Sequence, residues 1–534
     1  MATYLEEVED PLDSRSAEDE HWTTANMGEA MPGVATPLSA SVWGDTVDRG
    51  LVAGAYGLGA ISAHERETLG PPGDRPIRLF HGRAAVNADF LALVGDRMPG
   101  TSGEEVVRSF FGEVPETMGF HPTARRYPFV AARLPVTFAR YPGRVRALTA
   151  DYDGWWRASV VRLEGADGRG ARLLLADASD RMRRAVVVQS VAVMTCVQPV
   201  YEALAQTVKD IGTGDLSVLS SPPGGAESVV VRDIWRASRG EIQVGEVVAR
   251  HGFHGPFEGE LSARVWREDP APLERMVEHY AGLSEGQSPD AREAALARAR
   301  EAEERELLAA APRARRPAVK LVLRLVRSRI PLRGVAKRSM LQSLDVARAA
   351  ARVIGQDLAG SGLLADPEDV FYLILDEALA LDPAPLQELV SERKASREQH
   401  ARIAIPECWQ GDPPETPVED TAEDRDTVVT GEGVSAGVAE GSARVVEDPS
   451  FAEVEPGEIL VAPTTDPSWS SIMFVSSALV VDIGGALSHA AVVARELGIP
   501  CVVNTRSGSR TLRTGDRVRV DGGAGTVEIL EVGA

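Results

Sequence analysis

The sequence predicts a multidomain protein in which a mostly α region is followed by a compact β/β/α domain. Three observations carry this expectation. Before residue 400, long stretches place apolar residues at helical spacing, as with Met340, Leu344, Ala347, Ala351 and Ile354 within 336–360. Residues 410–430 hold three prolines and seven acidic side chains, a composition that cannot build a core. Residues 431–534 then switch to short alternating segments divided by glycine, such as Ala443-Arg-Val-Val, Glu458-Ile-Leu-Val-Ala and Arg517-Val-Arg-Val.

Taken in order, residues 1–20 are acidic and polar and are expected to be a disordered tail. Residues 21–409 form the mainly helical region. It opens on Asn26-Met-Gly-Glu-Ala-Met-Pro-Gly-Val-Ala-Thr-Pro-Leu-Ser39, a loop punctuated by Pro32, Gly33 and Pro37. Helical periodicity covers 180–211, 271–311 and 336–360, whereas 144–177 is ambiguous. Residues 410–430 should be a flexible, extended linker acting as a hinge, and 431–534 the second domain.

The whole chain sets bounds on function. Its 534 residues allow about two to four domains. A composition of 44% hydrophobic and 25% charged residues is that of a globular protein. No stretch approaches a membrane span in uncharged apolar length, and the N-terminus lacks the basic and apolar regions of a signal peptide, so a cytoplasmic location is expected. Cys196, Cys408 and Cys501 are far apart and carry no metal-like spacing, and no metal site is expected. A net charge of −22 argues against nucleic acid and anionic membranes as partners. Local arginines can still favour a phosphorylated substrate.

Val480-Val-Asp-Ile-Gly-Gly-Ala-Leu-Ser-His-Ala-Ala-Val-Val-Ala-Arg-Glu-Leu-Gly-Ile-Pro-Cys-Val-Val503 reads as strand, turn, helix, turn, strand. Gly484 and Gly485 permit a sharp turn, Ser488 can cap the helix, and Gly498 with Pro500 stops it. His489 then stands in the first helical turn, where free N–H groups and the helix dipole favour a phosphate. An imidazole there can accept a phosphoryl group, although a capping or half-buried histidine fits the same pattern. Thr464 and Thr465 carry hydroxyls suited to phosphate contact, or belong to ordinary turn chemistry before Asp466-Pro467. Arg495 projects from the same helix as His489.

Two further clusters can carry chemistry. Arg327, Arg329, Arg333, Lys337 and Arg338 crowd one segment of an acidic chain. Arg333 and Lys337 are four apart, so a helix puts them on one face where they could clamp one phosphate; a solvated basic face is the simpler reading. Arg250-His-Gly-Phe-His-Gly-Pro-Phe-Glu-Gly-Glu-Leu-Ser262 brings two histidines and two carboxylates into a glycine-rich loop able to supply a general base, or simply forms a polar turn.

The run Gly484-Gly-x-Leu-Ser-His-Ala-Ala-x-x-Ala-Arg-Glu-x-Gly-Ile-Pro500 closely resembles the swivelling phosphohistidine domain of the phosphoenolpyruvate-utilising enzymes, which include phosphoenolpyruvate synthase, pyruvate phosphate dikinase and rifampicin phosphotransferase. The 26–39 loop, Phe80-His-Gly-Arg-Ala-Ala-Val-Asn87, the Arg333/Lys337 segment, Pro367-Glu-Asp-Val-Phe-Tyr-Leu373, Asp376-Glu377 and Glu392-Arg-Lys394 resemble the acceptor part of the rifampicin phosphotransferases. The 250–262 loop departs from the family's Gly-His-Arg-Gly-x-x-Glu-x-Glu-Leu: Phe253 stands for the histidine and His254 for the arginine, while Glu258 and Glu260 match.

The resemblance covers roughly 22–534 and implies a helical acceptor domain followed by the phosphohistidine domain. It implies that His489 carries the phosphoryl group, with Thr464, Thr465, Gly484, Gly485, Ser488 and Arg495 around the phosphate. Arg333 and Lys337 would ligate the transferring group, and His254 or Glu258 would take the proton of a small-molecule hydroxyl. ATP is expected to act through a separate ATP-grasp partner, together with Mg²⁺. Two other outcomes stay open: a dehydratase, in which phosphorylation prepares a hydroxyl for elimination, and a non-catalytic binding or regulatory homologue.

Overall fold

The computed structural model describes residues 12–533, apart from 25–26, 28–30, 32, 70–75, 112–113, 221–225, 256, 382–385, 407, 418–426, 447–453, 456, 466–468 and 486–487. Its contacts group into two compact units. One comprises Met1–Thr195, Gly259–Ala263 and Val335–Asp420; the other comprises Cys196–Glu258, Arg264–Gly334 and Thr421–Ala534. This differs from a division into 21–409 and 431–534, because helices from the middle of the chain group with the C-terminal sheet.

The first unit is built on long helices. Thr36 caps Pro37–Leu58, Pro37 occupies its first turn, and Gly59 ends it at φ +91°. Gly168–Ala192, capped by Asp167, packs along it and buries Ala171, Leu174, Leu175, Ala178 and Met182. A Cβ at Gly50 would stand 3.0 Å from Val186 Cγ1 and 2.5 Å from Ser190 Oγ of that helix, so this glycine permits the close approach. The ambiguous 144–177 stretch is helical, lying in Tyr127–Leu163 and Gly168–Ala192. Among the described residues one helical run, Gly168–Ile211, is long and apolar enough to cross a membrane, and part of it is buried within the fold, as in a core helix. Leu332–Gly360 includes the expected stripe, with Met340, Leu344, Ala347, Ala351 and Ile354 all buried.

A four-stranded antiparallel sheet completes this unit, in the order Ile77–Phe80, Arg83–Asn87, His21–Thr23, Cys408–Gln410. Its apolar centre is Trp22, Phe80, Ala85 and Trp409. Residues 12–20, expected within a disordered tail, are ordered here. Leu12 is buried, Ser14 N donates to Leu79 O at 2.7 Å, and Ser16 N donates to Asp412 Oδ1 at 2.8 Å. Residues 1–11 lie outside the described residues. The start of the expected linker is also ordered: Thr416–Pro417 pairs with Ile403–Ala404. The two segments also hold each other, Ser16 through Asp412 and Gly411 N through Glu20 O at 2.9 Å, across a sequence separation that local composition does not report. Residues 418–426 of that linker lie outside the described residues.

Ion pairs account for part of the acidic and basic sequence near 370–394. Arg393 binds Glu377 through two contacts, at 2.6 and 3.0 Å, and Lys394 pairs with Asp369. These tie the Pro367–Tyr372 turn and the Leu375–Leu379 helix to Gln387–Ala401.

The second unit contains an eight-stranded mixed sheet. The strand order is Val428–Thr430, Thr526–Glu531, Arg517–Asp521, Val438–Val445, Ile459–Ala462, Ala478–Val481, Cys501–Val503, Glu432–Ser435. The four strands from Val438–Val445 to Cys501–Val503 run parallel, and Ser470–Val475 and His489–Leu497 are the helices in two of the crossovers. Ile459–Ala462 and Ala478–Val481 are buried on both faces, which explains their unbroken apolar sequence.

Alternate residues of these strands feed different cores. Ile459, Val461, Ala478, Val480 and Val502 meet Val518, Val520 and Val527. Leu460, Ala462, Leu479, Val481, Cys501 and Val503 share the other core with Trp469, Phe474 and Ala494, and also with Val231, Ile234, Trp235, Trp266, Leu273 and Tyr280. Tyr280 packs on Phe474 at 5.2 Å between ring centroids, and Arg292 donates to Phe474 O at 2.6 Å.

Truncating Phe474→Ala should therefore cost about 3–5 kcal/mol of stability. By hydrogen exchange, amides of 231–237 and 479–481 should lose protection together, because one core holds both.

Candidate functional site

The loops that can meet a ligand in the second unit leave the C-terminal ends of its parallel strands, the usual ligand edge of such sheets. After Ala478–Val481 the chain turns through Gly484, whose φ of +150° favours glycine. Ser488 N donates to Gly485 O at 2.9 Å, and Ser488 Oγ accepts from Ala491 N at 3.2 Å, capping His489–Leu497. His489 is the first residue of that helix, as the sequence predicts, and Gly498 closes it in the left-handed region at φ +67°.

A second loop follows Ile459–Ala462. Asp482 N donates to Ala462 O and Ile483 N to Pro463 O, both at 3.0 Å, so Thr464 and Thr465 leave the sheet beside the Gly484–Gly485 turn. Thr465 is buried. Thr464 Oγ1 is buried with no hydrogen-bond partner among the described residues, a donor left for a ligand or solvent.

A third loop, not singled out by the sequence, follows Cys501–Val503. Asp482 accepts from Thr505 Oγ1 at 2.7 Å and Ser509 N at 3.0 Å, and also from Ser509 Oγ. Burial pushes the Asp482 carboxyl above its ordinary value, with these hydrogen bonds opposing the shift. Asn504 and Arg506 adopt positive φ, and Asn504 Oδ1 is buried without a partner among the described residues. The signal for Asp482 is an acidic residue closing an apolar strand just before a glycine pair.

Arg495 stands in the last turn of the His489–Leu497 helix. It is buried, its Nε donates to Val434 O at 2.9 Å, and its guanidinium lies 5.9 Å from the Tyr201 ring centre. Six residues beyond His489, a helical position is about 120° round the axis and about 9 Å further along. That geometry makes Arg495 a brace between its helix and the Glu432–Ser435 strand. Burial pushes the Cys501 thiol up to about 12, which leaves it protonated and unreactive at neutral pH.

The glycine-rich 250–262 loop resolves into two roles. His254 Nδ1 lies 2.9 Å from Glu258 Oε2, with both residues more than nine-tenths buried. Phe253 and Trp266 stand around the imidazole at 4.5 and 5.7 Å between ring centres. The carboxylate favours a proton on Nδ1 and leaves Nε2 as the basic nitrogen. Glu260 instead closes the start of Pro37–Leu58: its carboxylate accepts from Thr36 Oγ1 at 2.6 Å, Ser39 Oγ at 2.7 Å and Thr36 N at 3.1 Å. His251 Nε2 pairs with Asp233 at 3.0 Å, a partner missed in sequence because it lies on the separate Ala226–Ser238 helix.

Arg333 and Lys337 are both half-buried in the first two turns of Leu332–Gly360. Of their basic neighbours, Arg327 pairs with Glu304 and Arg338 with Asp153. Among the described residues, the one group of three or more clustered metal-ligating side chains contains two histidines. That donor set does not suit Mg²⁺, which takes oxygen ligands.

Fold and site together define an α/β domain whose glycine turn and capped helix lie at the C-terminal edge of its parallel strands, and a separate loop bearing a histidine–carboxylate pair. Two family models match the chain. Residues 454–525 match the PEP-utilising enzyme mobile domain, and 242–334 match the rifampicin phosphotransferase fourth domain. The chain is thus similar to the PEP-utilising mobile domain over 454–525 and to the rifampicin phosphotransferase fourth domain over 242–334. The first match contains Thr464, Thr465, Gly484, Gly485, Ser488, His489 and Arg495; the second contains His254, Glu258 and Arg333.

Among relatives, an uncharacterized protein of Mycobacterium tuberculosis H37Rv is 28% identical, over 98% of this chain and 63% of its own length. A rifampicin phosphotransferase of a Streptomyces species is 32% identical, over 73% of this chain and 45% of its own. An uncharacterized phosphotransferase of Bacillus subtilis is 33% identical, over 33% of this chain and 23% of its own. The chain spans less than two thirds of the length of each.

The Asp233 carboxyl gives a pH test. Burial pushes it up, but hydrogen bonds from His251 and Arg250 more than offset this and leave it below its ordinary value. Its stabilisation is present above the unfolded carboxylate pKa of about 3.9 and fades as pH falls through the lower folded value. Asp233→Asn should cost about 1–3 kcal/mol at neutral pH. It should also flatten the acid side of the stability curve measured by urea unfolding from neutral pH downward.

Proposed function

We propose that this chain is a phosphotransferase component that carries a phosphoryl group on His489 from a separate ATP-binding partner to a hydroxyl of a small organic molecule. The observation that carries the reading is the capped helix opening at His489 behind the Gly484–Gly485 turn, within the segment that matches the mobile domain. The backbone N–H groups of that first turn, the Ser488 cap and the Thr464 hydroxyl favour a dianionic group there. ATP and its Mg²⁺ belong to the donor in this reading.

In the delivery step, the acceptor oxygen attacks phosphorus, the P–N bond to His489 breaks, and the imidazole leaves with that bonding pair. His254 Nε2 removes the hydroxyl proton, with Glu258 stabilising the imidazolium through Nδ1–H. Arg333 and Lys337 neutralise charge on the transferring oxygens. Phe253 and Trp266 make the surroundings of the base apolar, which suits an organic acceptor with a single reacting hydroxyl. The match to the fourth-domain segment supports the small-molecule acceptor.

The variants should separate the two half-reactions. With an ATP-binding donor and labelled ATP, His489→Ala should take up no acid-labile phosphate. Thr464→Val should slow labelling by about tenfold, the effect of losing one hydrogen bond to a charged group. His254→Gln and Glu258→Gln should label normally, while their delivery to the acceptor falls by roughly 10²–10⁴. Normal labelling of His489→Ala would remove the carrier assignment.

A further inference from the structure

We propose that Asp13, His81 and His400 form a transition-metal site, with zinc as the fitting ion, that pins the chain's N-terminal segment to the first unit. One candidate ligand atom from each residue lies within 4.8 Å of the others. His81 and His400 are both more than nine-tenths buried, and their rings approach at 5.3 Å between centres. His81 Nδ1 is buried with no hydrogen-bond partner among the described residues, and Asp13 Oδ1 stands 3.6 Å from it. That separation is too long for a hydrogen bond and fits two ligands facing one ion. Zinc–nitrogen and zinc–oxygen bonds of about 2.0–2.2 Å place neighbouring ligand atoms a little over ~3 Å apart, so modest closure of the cluster completes the geometry.

The surroundings support a ligand role for His81. Beyond hydrogen-bond reach, the Glu415 carboxylate stands 3.7 Å from its other ring nitrogen, Nε2, and adds negative charge beside the cluster. His81 holds the positive φ of +46° at the turn between Ile77–Phe80 and Arg83–Asn87, and its N–H donates to Asp13 Oδ1 at 3.0 Å. Arg83 Nη1 donates to the carbonyls of both His81 and His400, at 3.2 and 3.1 Å, joining the two ligand-bearing segments through their backbones. The Asp13 and Glu415 carboxylates offset that nearby cation. His400 sits in the last turn of Gln387–Ala401, where the helix dipole favours positive charge. Two imidazoles and one carboxylate suit zinc and leave a fourth position for water.

The ion would join three segments that are remote in sequence, one of them the 12–20 stretch that composition alone assigns to a tail. The site is independent of phosphoryl transfer and can be tested without a substrate. Metal-free full-length protein should bind one Zn²⁺ per chain in competition with a chromophoric chelator. Co²⁺ at the same site should give the visible absorption of a low-coordinate complex. Asp13→Asn and His400→Ala should lose stoichiometric binding. His489→Ala should bind as the unaltered chain does. Zn²⁺ should raise the thermal midpoint of the unaltered chain and leave that of Asp13→Asn unchanged. Failure of the unaltered chain to bind one equivalent, or full binding by the folded Asp13→Asn protein, would overturn the site. Should His400→Ala fail to fold, Asp13→Asn and the cobalt spectrum of the unaltered chain still decide the question.

Discussion

The second unit depends on one constraint: its parallel strands must be covered on both faces. Val461, Val480 and Val502 are satisfied within the sheet domain, against Val518, Val520 and Val527. The opposite face, with Leu479, Val481 and Cys501, is covered by helices of its own crossovers and by Trp235, Trp266 and Tyr280 from earlier in the chain. With strands fixed from both sides, the turns at their C-terminal ends have fixed origins. The helix beginning at His489 therefore starts at a defined place beside the Gly484 turn, although the turn itself needs glycine to exist.

The same constraint explains how charged residues divide their work. Arg495 lies on a helix packed between sheet and earlier helices, and its guanidinium is consumed by the Val434 carbonyl and the Tyr201 ring. A cation placed there braces the helix that begins at His489 against the Glu432–Ser435 strand. In the 250–262 loop, two glutamates two residues apart point to different tasks. Glu258 orients an imidazole, whereas Glu260 satisfies the orphan donors of a helix start. Loss of Glu260 would therefore strike the start of Pro37–Leu58, and loss of Glu258 the placing of the His254 ring.

Legibility in the sequence follows the range of the interactions. Residues 484–500 were readable because each signal is local: glycine for the turn, Ser488 for the cap, Gly498 and Pro500 for the stop. The stripe from Met340 to Ile354 was readable for the same reason, since 3.6-residue periodicity is a property of one segment. The ordering of 12–20 was not readable, because it rests on Leu79 and Asp412. Nor was the burial of Arg495, which depends on Tyr201 and Val434, or the pairing of His251 with Asp233. The acidic 410–417 stretch has the composition of a linker, yet Asp412 accepts from Ser16 N and Gly411 N donates to Glu20 O, across nearly the whole first unit's sequence. Composition sets what a segment can bury, and remote partners decide whether it is nevertheless held.

The account turns on whether residue 489 is the atom-level carrier. The direct measurement is site mapping by mass spectrometry, after the intact protein has been exposed to an ATP-binding donor and ATP and digested at alkaline pH. The account predicts one phosphoryl group on the peptide containing His489, stable to base and lost on brief acid treatment. A phosphoryl group on a different peptide, or one at this peptide that survives acid as a serine or threonine ester does, would contradict it.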